Sequence, residues 1–270
     1  GFVMDELAQW VNFRPVCPEM AIGLPTPRPA LRLIVMTNGE TQMRFSHAPH
    51  EDVTQKMADF TADFLPKIGD LSGFIVCAKS PSCGMERVRL YDENGNRGRK
   101  EGVGLFTAAL LETWPWLPVE EDGRLHDPVL RENFVERVFA LHELNTLRKN
   151  GLTRRALLDF HSRYKLQLLA HHQAGYREIG PFVASLHEWE DLDAFFVAYR
   201  EKLMTILKKP ASRKNHTNVL MHIQGYFRTQ LNSRQRGELR DVILHYRNGQ
   251  LPILAPITLL KHYLAEYPDR

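Results

Sequence analysis

The sequence has little of what stabilises proteins outside the cell or in a membrane. Of its 270 residues only three are cysteines, Cys17, Cys77 and Cys83, too few for the disulfide framework of a small secreted protein. It has no run of about 20 apolar residues, which excludes an ordinary transmembrane span. Its first residues lack the basic and apolar regions of a signal peptide, so we expect a cytoplasmic protein.

The common nucleotide-binding and hydrolase motifs are also missing. No P-loop, no G-x-G-x-x-G and no G-x-S-x-G nucleophile elbow occurs. The content of 43% hydrophobic and 25% charged residues excludes a disordered or fibrous chain. The length is sufficient for one large domain or two of ordinary size.

Charge is divided unevenly along the chain. Residues 1–148 hold 16 lysines and arginines against 21 acidic residues, a net charge of −5, whereas 149–270 hold 19 against 11, a net charge of +8. This difference predicts two domains, 1–148 and 149–270. The second is expected to bind an anionic partner.

The first half alternates strand-like and helix-like segments. Short apolar runs, in part β-branched, predict strands at 13–17, 31–35 and 74–77. Apolar residues at helical spacing predict helices at 51–68 and 103–113. Strand, helix, strand in this order indicates a parallel βαβ unit, and we expect an α/β domain with a Rossmann-like layered parallel sheet.

From Pro128 onward the strand signals disappear and segments of helical period follow one another. Thr153 stands where it can cap one of them, after a plausible helix end at Asn150 and Gly151. The second domain is therefore expected to be all-helical. Its predicted helices are 128–148, 153–170, 190–208, 215–231, 233–248 and 255–266.

Two cysteines follow strand-like runs in loops rich in proline, glycine and serine. Loops after parallel strands gather at one edge of a sheet, so Cys17 and Cys83 are expected to lie close together with Glu19. Either the thiols bind a metal or they are small buried hydrophobic groups in turns. Cys77, at the end of a strand, could face either the core or the cysteine loops, and the core is favoured because free cysteine is among the most buried residue types.

Four segments carry long and specific motifs. VCPEMAIGLPTPRP at 16–29 and CAKSPSCGM at 77–85 resemble motifs of the thiouracil desulfurase-like domain. NHTNVLMHIQGYF at 215–227 and LPILAPITLLK at 251–261 are similar to the helical domain of the bacterial YbgA-like proteins. Together the resemblances cover essentially the whole chain.

The resemblance implies an enzyme with a [4Fe–4S] cluster held by three cysteines, whose open iron captures the sulfur of a thiocarbonyl. The implied reaction is the non-redox conversion of a thiolated pyrimidine to its oxo form with release of sulfide. Residue by residue, Cys17 and Cys83 match two cluster ligands and Glu19 matches the catalytic acid/base. Ser82 is the best match for the active-site serine, with Ser80 as the alternative.

One family motif is missing. The family places its first ligand in a Cys-Leu-Leu-Gly motif at the extreme N-terminus, and nothing before Gly1 supplies it. The chain also lacks an initiator Met, so we expect a piece of a longer protein whose third ligand lies in a segment absent from this chain. Cys77 is an alternative third ligand, although the family pattern does not use that position.

Arg28 lies between two prolines on a stiff loop. Its guanidinium is suited to bind a pyrimidine carbonyl or a phosphate of the substrate, or to form a salt bridge within the acidic domain. Sequence alone leaves both roles open.

The basic half is expected to bind RNA through its phosphates. The resemblance points to 4-thiouridine in tRNA as the substrate, with a free base or nucleoside as the alternative. Tyr226 and Phe227 could stack on bases but fit a core-facing helix better. The predicted RNA-binding residues are Lys208, Lys209, Arg213, Lys214 and Arg228.

Two other functions compete with the desulfidase hypothesis. One is an RNA-binding or adaptor protein whose metal cluster is structural or absent. The other is a zinc-stabilised hydrolase, which would need a fourth ligand and the paired cysteine spacing that the sequence lacks.

Overall fold

The computed structural model describes residues 1–48 and 50–268. The chain divides into two compact units, Gly1–Thr146 and Leu147–Arg270. The first unit contains strands and helices, and the second contains helices and short 3₁₀ turns in its described part. The predicted fold class, an α/β region followed by an all-α region, is confirmed.

The strands of the first unit form two separate sheets. The larger has the order β2-β1-β4-β5, in which β1 pairs antiparallel with β2 and parallel with β4, and β4 pairs antiparallel with β5. The smaller consists of β3 and β6 in parallel. The strands are β1 (Leu31–Val35), β2 (Thr41–Phe45), β3 (Phe74–Val76), β4 (Val88–Asp92), β5 (Arg97–Gly102) and β6 (Val119–Glu121).

The predicted strands at 31–35 and 74–77 are confirmed, the second ending at Val76. They do not pair with each other as a βαβ unit, because both edges of β1 are occupied by β2 and β4 while β3 pairs with β6. The strand predicted at 13–17 is wrong. That segment is irregular, since Pro15 has no N–H to donate to a ladder and Cys17 begins a short helix instead.

Helices alternate with these strands along the first unit. They are α1 (Phe2–Asp5), α2 (Pro18–Ala21), α3 (Thr54–Phe64), α4 (Leu105–Thr113) and α5 (Pro128–Lys149), the last of which runs into the second unit. The predictions at 51–68, 103–113 and 128–148 are confirmed. Phe106 of α4 is fully buried and stacks on Phe60 of α3, while Phe74 of β3 contacts it from the sheet. This aromatic contact places the start of α4 beside Phe74, the first residue of β3.

In its described part, up to residue 268, the second unit contains six further α-helices. Its predicted helices are all present, within a few residues at their ends. The Thr153 cap is confirmed, since its hydroxyl accepts the Ala156 N–H at 3.1 Å. The helices are α6 (Arg154–His171), α7 (Gln173–Ala184), α8 (Leu192–Leu207), α9 (Arg213–Tyr226), α10 (Ser233–Arg247) and α11 (Leu254–Glu266).

Helix α7 was not predicted, because Gly175, Gly180 and Pro181 are weak helix formers. Close packing compensates: a Cβ on Gly175 would lie 2.6 Å from the Ile206 side chain of α8. No helix in the described part of the chain is long and apolar enough to cross a membrane.

Candidate functional site

A short helix presents the first part of the site. Cys17 is the N-cap residue of α2 in an extended conformation, and Pro18 begins the helix with its φ already fixed. Glu19 therefore projects from the first turn. The loop that follows returns Arg28 to this turn, so Cys17, Glu19 and Arg28 are brought together.

Arg28 joins the carboxylate and the thiol. Its Nε donates to Glu19 Oε2 at 2.5 Å and its Nη2 to Cys17 Sγ at 3.4 Å. The two side chains of the ion pair, Arg28 and Glu19, are only 21% and 13% exposed. Burial opposes the charge of Arg28, but the Glu19 carboxylate and Cys17 outweigh it and raise the pKa of Arg28. The guanidinium is therefore fixed beside the thiol.

Two serines bind the other oxygen of Glu19. Ser82 Oγ donates to Glu19 Oε1 at 2.5 Å, whereas Ser80 Oγ lies 3.5 Å from the same atom. The two hydroxyls are 2.9 Å apart. Ser82 Oγ also lies 3.6 Å from Cys83 Sγ, so its hydroxyl is within hydrogen-bond distance of both Glu19 and Cys83.

Ser80 also shapes the loop that carries Cys83. Its Oγ accepts the N–H groups of Ser82 at 3.3 Å and Cys83 at 3.2 Å, and its carbonyl accepts the Gly84 N–H at 2.8 Å. Ser80 thus has a structural function in this loop, while Ser82 makes the shorter contact with Glu19.

The N-terminus of α4 holds this loop in place. The N–H groups of Leu105 and Phe106 donate to the carbonyls of Pro81 and Ser82 at 3.1 and 3.0 Å. A Cβ on Gly104 would lie 2.5 Å from the Ser82 carbonyl oxygen and 2.6 Å from the Cys83 nitrogen, so only glycine allows this approach. Gly104 was not among the predicted site residues. The sequence feature that could have identified it is a glycine directly before a segment of helical periodicity.

The three cysteines lie within electrostatic range of one another. Burial, with smaller contributions from Cys77, Glu19 and Cys17, raises the pKa of Cys83 to about 11, although a hydrogen bond from Ser82 opposes it. Partial desolvation and the charges of Asp122, Cys17 and Glu19 raise the pKa of Cys77. Cys77 is exposed, so its predicted core position is wrong: it follows the last residue of β3, past the buried Val76.

An open pocket adjoins the Glu19 and Arg28 pair. Its volume is about 410 Å³, within the range of small-molecule sites. The pocket is lined by Glu19, Thr26, Arg28, Pro29, Ala30, Leu31 and Pro81.

The predicted RNA-binding residues of the second unit are all exposed. Lys209 Nζ lies 2.9 Å from His172 Nε2, and the Arg213 guanidinium lies 5.5 Å from the Tyr246 ring centroid. No ion pair involves any of the five within residues 1–48 and 50–268. The five are Lys208, Lys209, Arg213, Lys214 and Arg228.

The structure separates the two aromatic residues next to Arg228. Phe227 is buried as predicted, but Tyr226 is 67% exposed, so its predicted core position is wrong. Helix α9 ends at Tyr226, and the chain turns before the ring can reach the core. An aromatic ring is therefore accessible two residues from Arg228.

The two halves of the chain match different families of known proteins. Residues 1–122 match the family model described as 2-thiouracil desulfurase, and residues 165–270 match a model described as a protein of unknown function, DUF1722. The uncharacterized protein YbgA of Escherichia coli (strain K12) is 54% identical over 133 residues, 49% of this chain and 79% of YbgA. No solved structure matches the chain.

Proposed function

Because the chain belongs to the YbgA family and carries a region that matches 2-thiouracil desulfurase, we propose that it is a desulfidase that replaces the sulfur of a thiolated pyrimidine by oxygen. The observation that best supports this is the arrangement around Glu19. One carboxylate oxygen accepts from Arg28 and the other from Ser82, at the edge of a pocket of suitable size.

The pocket and Arg28 serve substrate binding in this proposal. A pyrimidine ring is planar and carries carbonyl acceptors at its edge. The apolar side chains of Pro29, Leu31 and Pro81 provide contact area for the ring, while Arg28 donates to a ring carbonyl or a phosphate oxygen. The multiple hydrogen bonds of Arg28 fix its position before the substrate binds.

Glu19 moves the protons of the reaction. As a base it accepts a proton from water while the water oxygen attacks the carbon that carries sulfur. As an acid it returns that proton to the departing sulfur when the C–S bond breaks, and the second proton of the water passes from the new hydroxyl group to the sulfide as the C=O bond forms. The sum is C=S plus water giving C=O plus hydrogen sulfide, with no change of oxidation state. Ser82 orients the carboxylate by its hydrogen bond.

The described residues do not complete a site for an iron–sulfur cluster. Cys17 and Cys83 lie near Glu19, but no group of three or more His, Cys, Asp or Glu side chains in residues 1–48 and 50–268 is arranged to hold a metal. We assign Cys17 and Cys83 as two of the cluster ligands in this proposal. A bound cluster would supply a soft acceptor for sulfur.

We extend the proposal to 4-thiouridine in tRNA as the substrate and to the second unit as the part that binds it. The exposed cations Lys208, Lys209, Arg213, Lys214 and Arg228 can neutralise phosphates without reading sequence. The exposed ring of Tyr226 is available to stack on a base. Phosphate contacts would position the polymer while the pocket beside Glu19 takes up one base.

The test is sulfide release from tRNA containing 4-thiouridine and from free 4-thiouracil. The full-length protein is loaded with iron and sulfide without oxygen and compared with Glu19→Gln and with Glu112→Gln, an exposed control on α4. Release by the wild type and the control, but not by Glu19→Gln, supports the proposal. Salt-sensitive RNA binding without release from either substrate would favour the adaptor function instead. Zinc without acid-labile sulfide in the purified protein, measured before it is loaded, would favour the hydrolase.

A further inference from the structure

Helix α4 buries one hydroxyl group among apolar side chains. Thr107 is fully buried, as are Phe106 and Leu110 of the same helix. A hydroxyl that is taken out of water costs free energy unless it is hydrogen-bonded. A threonine inside a helix can bond to the carbonyl four residues earlier, as Thr61 of α3 does with the Met57 carbonyl at 2.7 Å. Thr107 donates outside its own helix instead.

The Thr107 hydroxyl holds the backbone of Cys83. Its Oγ1 donates to the Cys83 carbonyl at 2.7 Å, across 24 positions of the chain. The Cys83 N–H is bound by Ser80 Oγ at 3.2 Å. Both polar backbone groups of Cys83 are therefore bound by side-chain hydroxyls, one from its own loop and one from α4.

The chain that follows Cys83 is held by other groups. The Gly84 carbonyl accepts the Gly104 N–H at 2.8 Å. The carboxylate of Glu121, a buried residue at the end of β6, accepts the Met85 N–H at 3.1 Å. Because these contacts do not use the buried hydroxyl of α4, its loss would release the Cys83 carbonyl while the rest of the loop keeps its partners.

The placement of the Cys83 backbone matters for the groups around Glu19. Ser82 precedes Cys83 directly, and its hydroxyl is within hydrogen-bond distance of the Glu19 carboxylate and the Cys83 sulfur. A shift of the Cys83 backbone therefore changes the position of the sulfur relative to both the hydroxyl and the carboxylate.

We propose that Thr107 is a positioning residue, whose hydroxyl fixes the Cys83 backbone and so places the thiol relative to Ser82 and Glu19. This inference rests on the proposed function, because it names a residue that aligns the proposed reacting groups. The pocket beside Glu19 is lined by other residues. Thr107 therefore acts on the alignment of the reacting groups and not on binding of the pyrimidine.

The first experiment measures how fast iodoacetamide alkylates each cysteine in the full-length protein, in the presence of an iron chelator, by mass spectrometry of its peptides. Thr107→Val removes the hydroxyl and keeps the shape of the side chain. We expect the alkylation rate of Cys83 to rise about three- to tenfold, because loss of one buried hydrogen bond favours local opening of the loop. The rate of Cys17 should not change.

Two further variants separate positioning from general stability. Thr107→Ser restores the donor and should return the Cys83 rate to that of the wild type. Thr61→Val removes a hydrogen bond of the same length from a similarly buried residue of α3, and should leave the Cys83 rate unchanged. If Thr107→Val does not fold, Thr107→Ala replaces it.

Three results of this experiment would overturn the inference. They are a wild-type Cys83 rate in Thr107→Val, an equal rise of that rate in Thr61→Val, and a rise in Thr107→Ser as large as in Thr107→Val. Since alkylation needs no turnover, these rates decide the inference independently of the proposed function.

Sulfide release from free 4-thiouracil by the loaded protein supplies a second readout. Thr107→Val should lower kcat about tenfold and change KM by less than about twofold, because the reacting groups are misaligned while the pocket keeps its lining. A change in KM alone would contradict the positioning role. No release by the wild type would overturn the proposed function and leave the alkylation result standing.

Discussion

The hydroxyl of Ser82 donates a 2.5 Å hydrogen bond to the carboxylate of Glu19, 63 positions earlier in the chain. Glu19 stands on a four-residue helix, and Ser82 stands in a loop held by the start of α4. The contact therefore depends on several elements of the first unit at once. Substitutions at the contact and in its support are expected to have different effects on activity and stability.

Replacing Ser82 by alanine should impair the reaction more than replacing Ser80. Ser82→Ala leaves Glu19 Oε1 without its shortest donor, and we expect kcat/KM to fall about ten- to a hundredfold, as for other residues that orient a catalytic group. Ser80→Ala should act mainly on loop stability, because Ser80 accepts two backbone N–H groups. Sulfide release and thermal unfolding of both variants check this. Equal losses of activity at equal stability would contradict the assignment of Ser82.

Arg28 should not be replaceable by lysine. A lysine ammonium cannot reach Glu19, Cys17 and the Thr26 hydroxyl together as the guanidinium does. Loss of a hydrogen bond to a charged group costs about 1.5–3 kcal/mol, so Arg28→Lys should lower kcat/KM by about tenfold or more. Arg14→Lys is the matched control, since Arg14 contacts the Ile68 carbonyl away from Glu19. Wild-type activity of Arg28→Lys would show that the guanidinium geometry is not needed.

Gly104→Ala should destabilise the first unit although alanine favours helices. The φ of Gly104 is −63°, which any residue can adopt, so the expected destabilisation comes from steric overlap and not from backbone strain. The added Cβ would press on Ser82 and Cys83, and overpacking costs about 1–3 kcal/mol. We expect Tm to fall by about 3 °C or more. Gly123→Ala serves as control because its Cβ would meet nothing within 4 Å. Equal Tm values for the two variants would contradict the packing argument.

Stability should decrease in mild acid through His161. Burial, and then the charge of Lys165, lowers the pKa of His161, whose Nδ1 lies 3.1 Å from Tyr199 Oη. The unfolded chain binds this proton at about pH 6.5 and the folded chain only at lower pH. The stabilising contribution is therefore complete above about pH 6.5 and is lost as the pH falls toward the lowered pKa.

Urea unfolding at pH 7.5 and 5.5 measures this contribution. His161→Gln should show a smaller loss of stability between the two pH values than the wild type. His222→Gln, at an exposed position of α9, should keep the wild-type dependence. A wild-type dependence in His161→Gln would show that other groups cause the acid sensitivity.

Hydrophobic periodicity was sufficient to predict the helices whose apolar residues repeat over several turns. Helices α5, α6 and α8 have buried residues at helical spacing along their length, and their positions follow from the sequence. Strand β5 has the sequence RGRKEG and only Gly102 is buried. Its pairing with β4 depends on backbone hydrogen bonds and on the intervening turn. Neither produces a pattern of hydrophobic residues from which a strand could be predicted.

Local composition misled the interpretation where tertiary contacts decide the structure. Phe13 belongs to a strand-like run but is 42% exposed, because no neighbouring strand pairs with that run. The motifs around Cys17 and Cys83 lie in the two segments that the structure brings together at Glu19. They could not give the distances to Glu19 that distinguish Ser82 from Ser80, since the two serines are only two positions apart in one turn.

The contact of Gly104 with Ser82 also limits how this region can be transplanted. The Ser80–Gly84 loop takes its shape partly from backbone N–H groups at the start of α4, about twenty residues later in the chain. A designer who grafts the loop alone onto another scaffold would leave the carbonyls of Pro81 and Ser82 without donors. The smallest portable unit is therefore the loop together with Gly104 and α4.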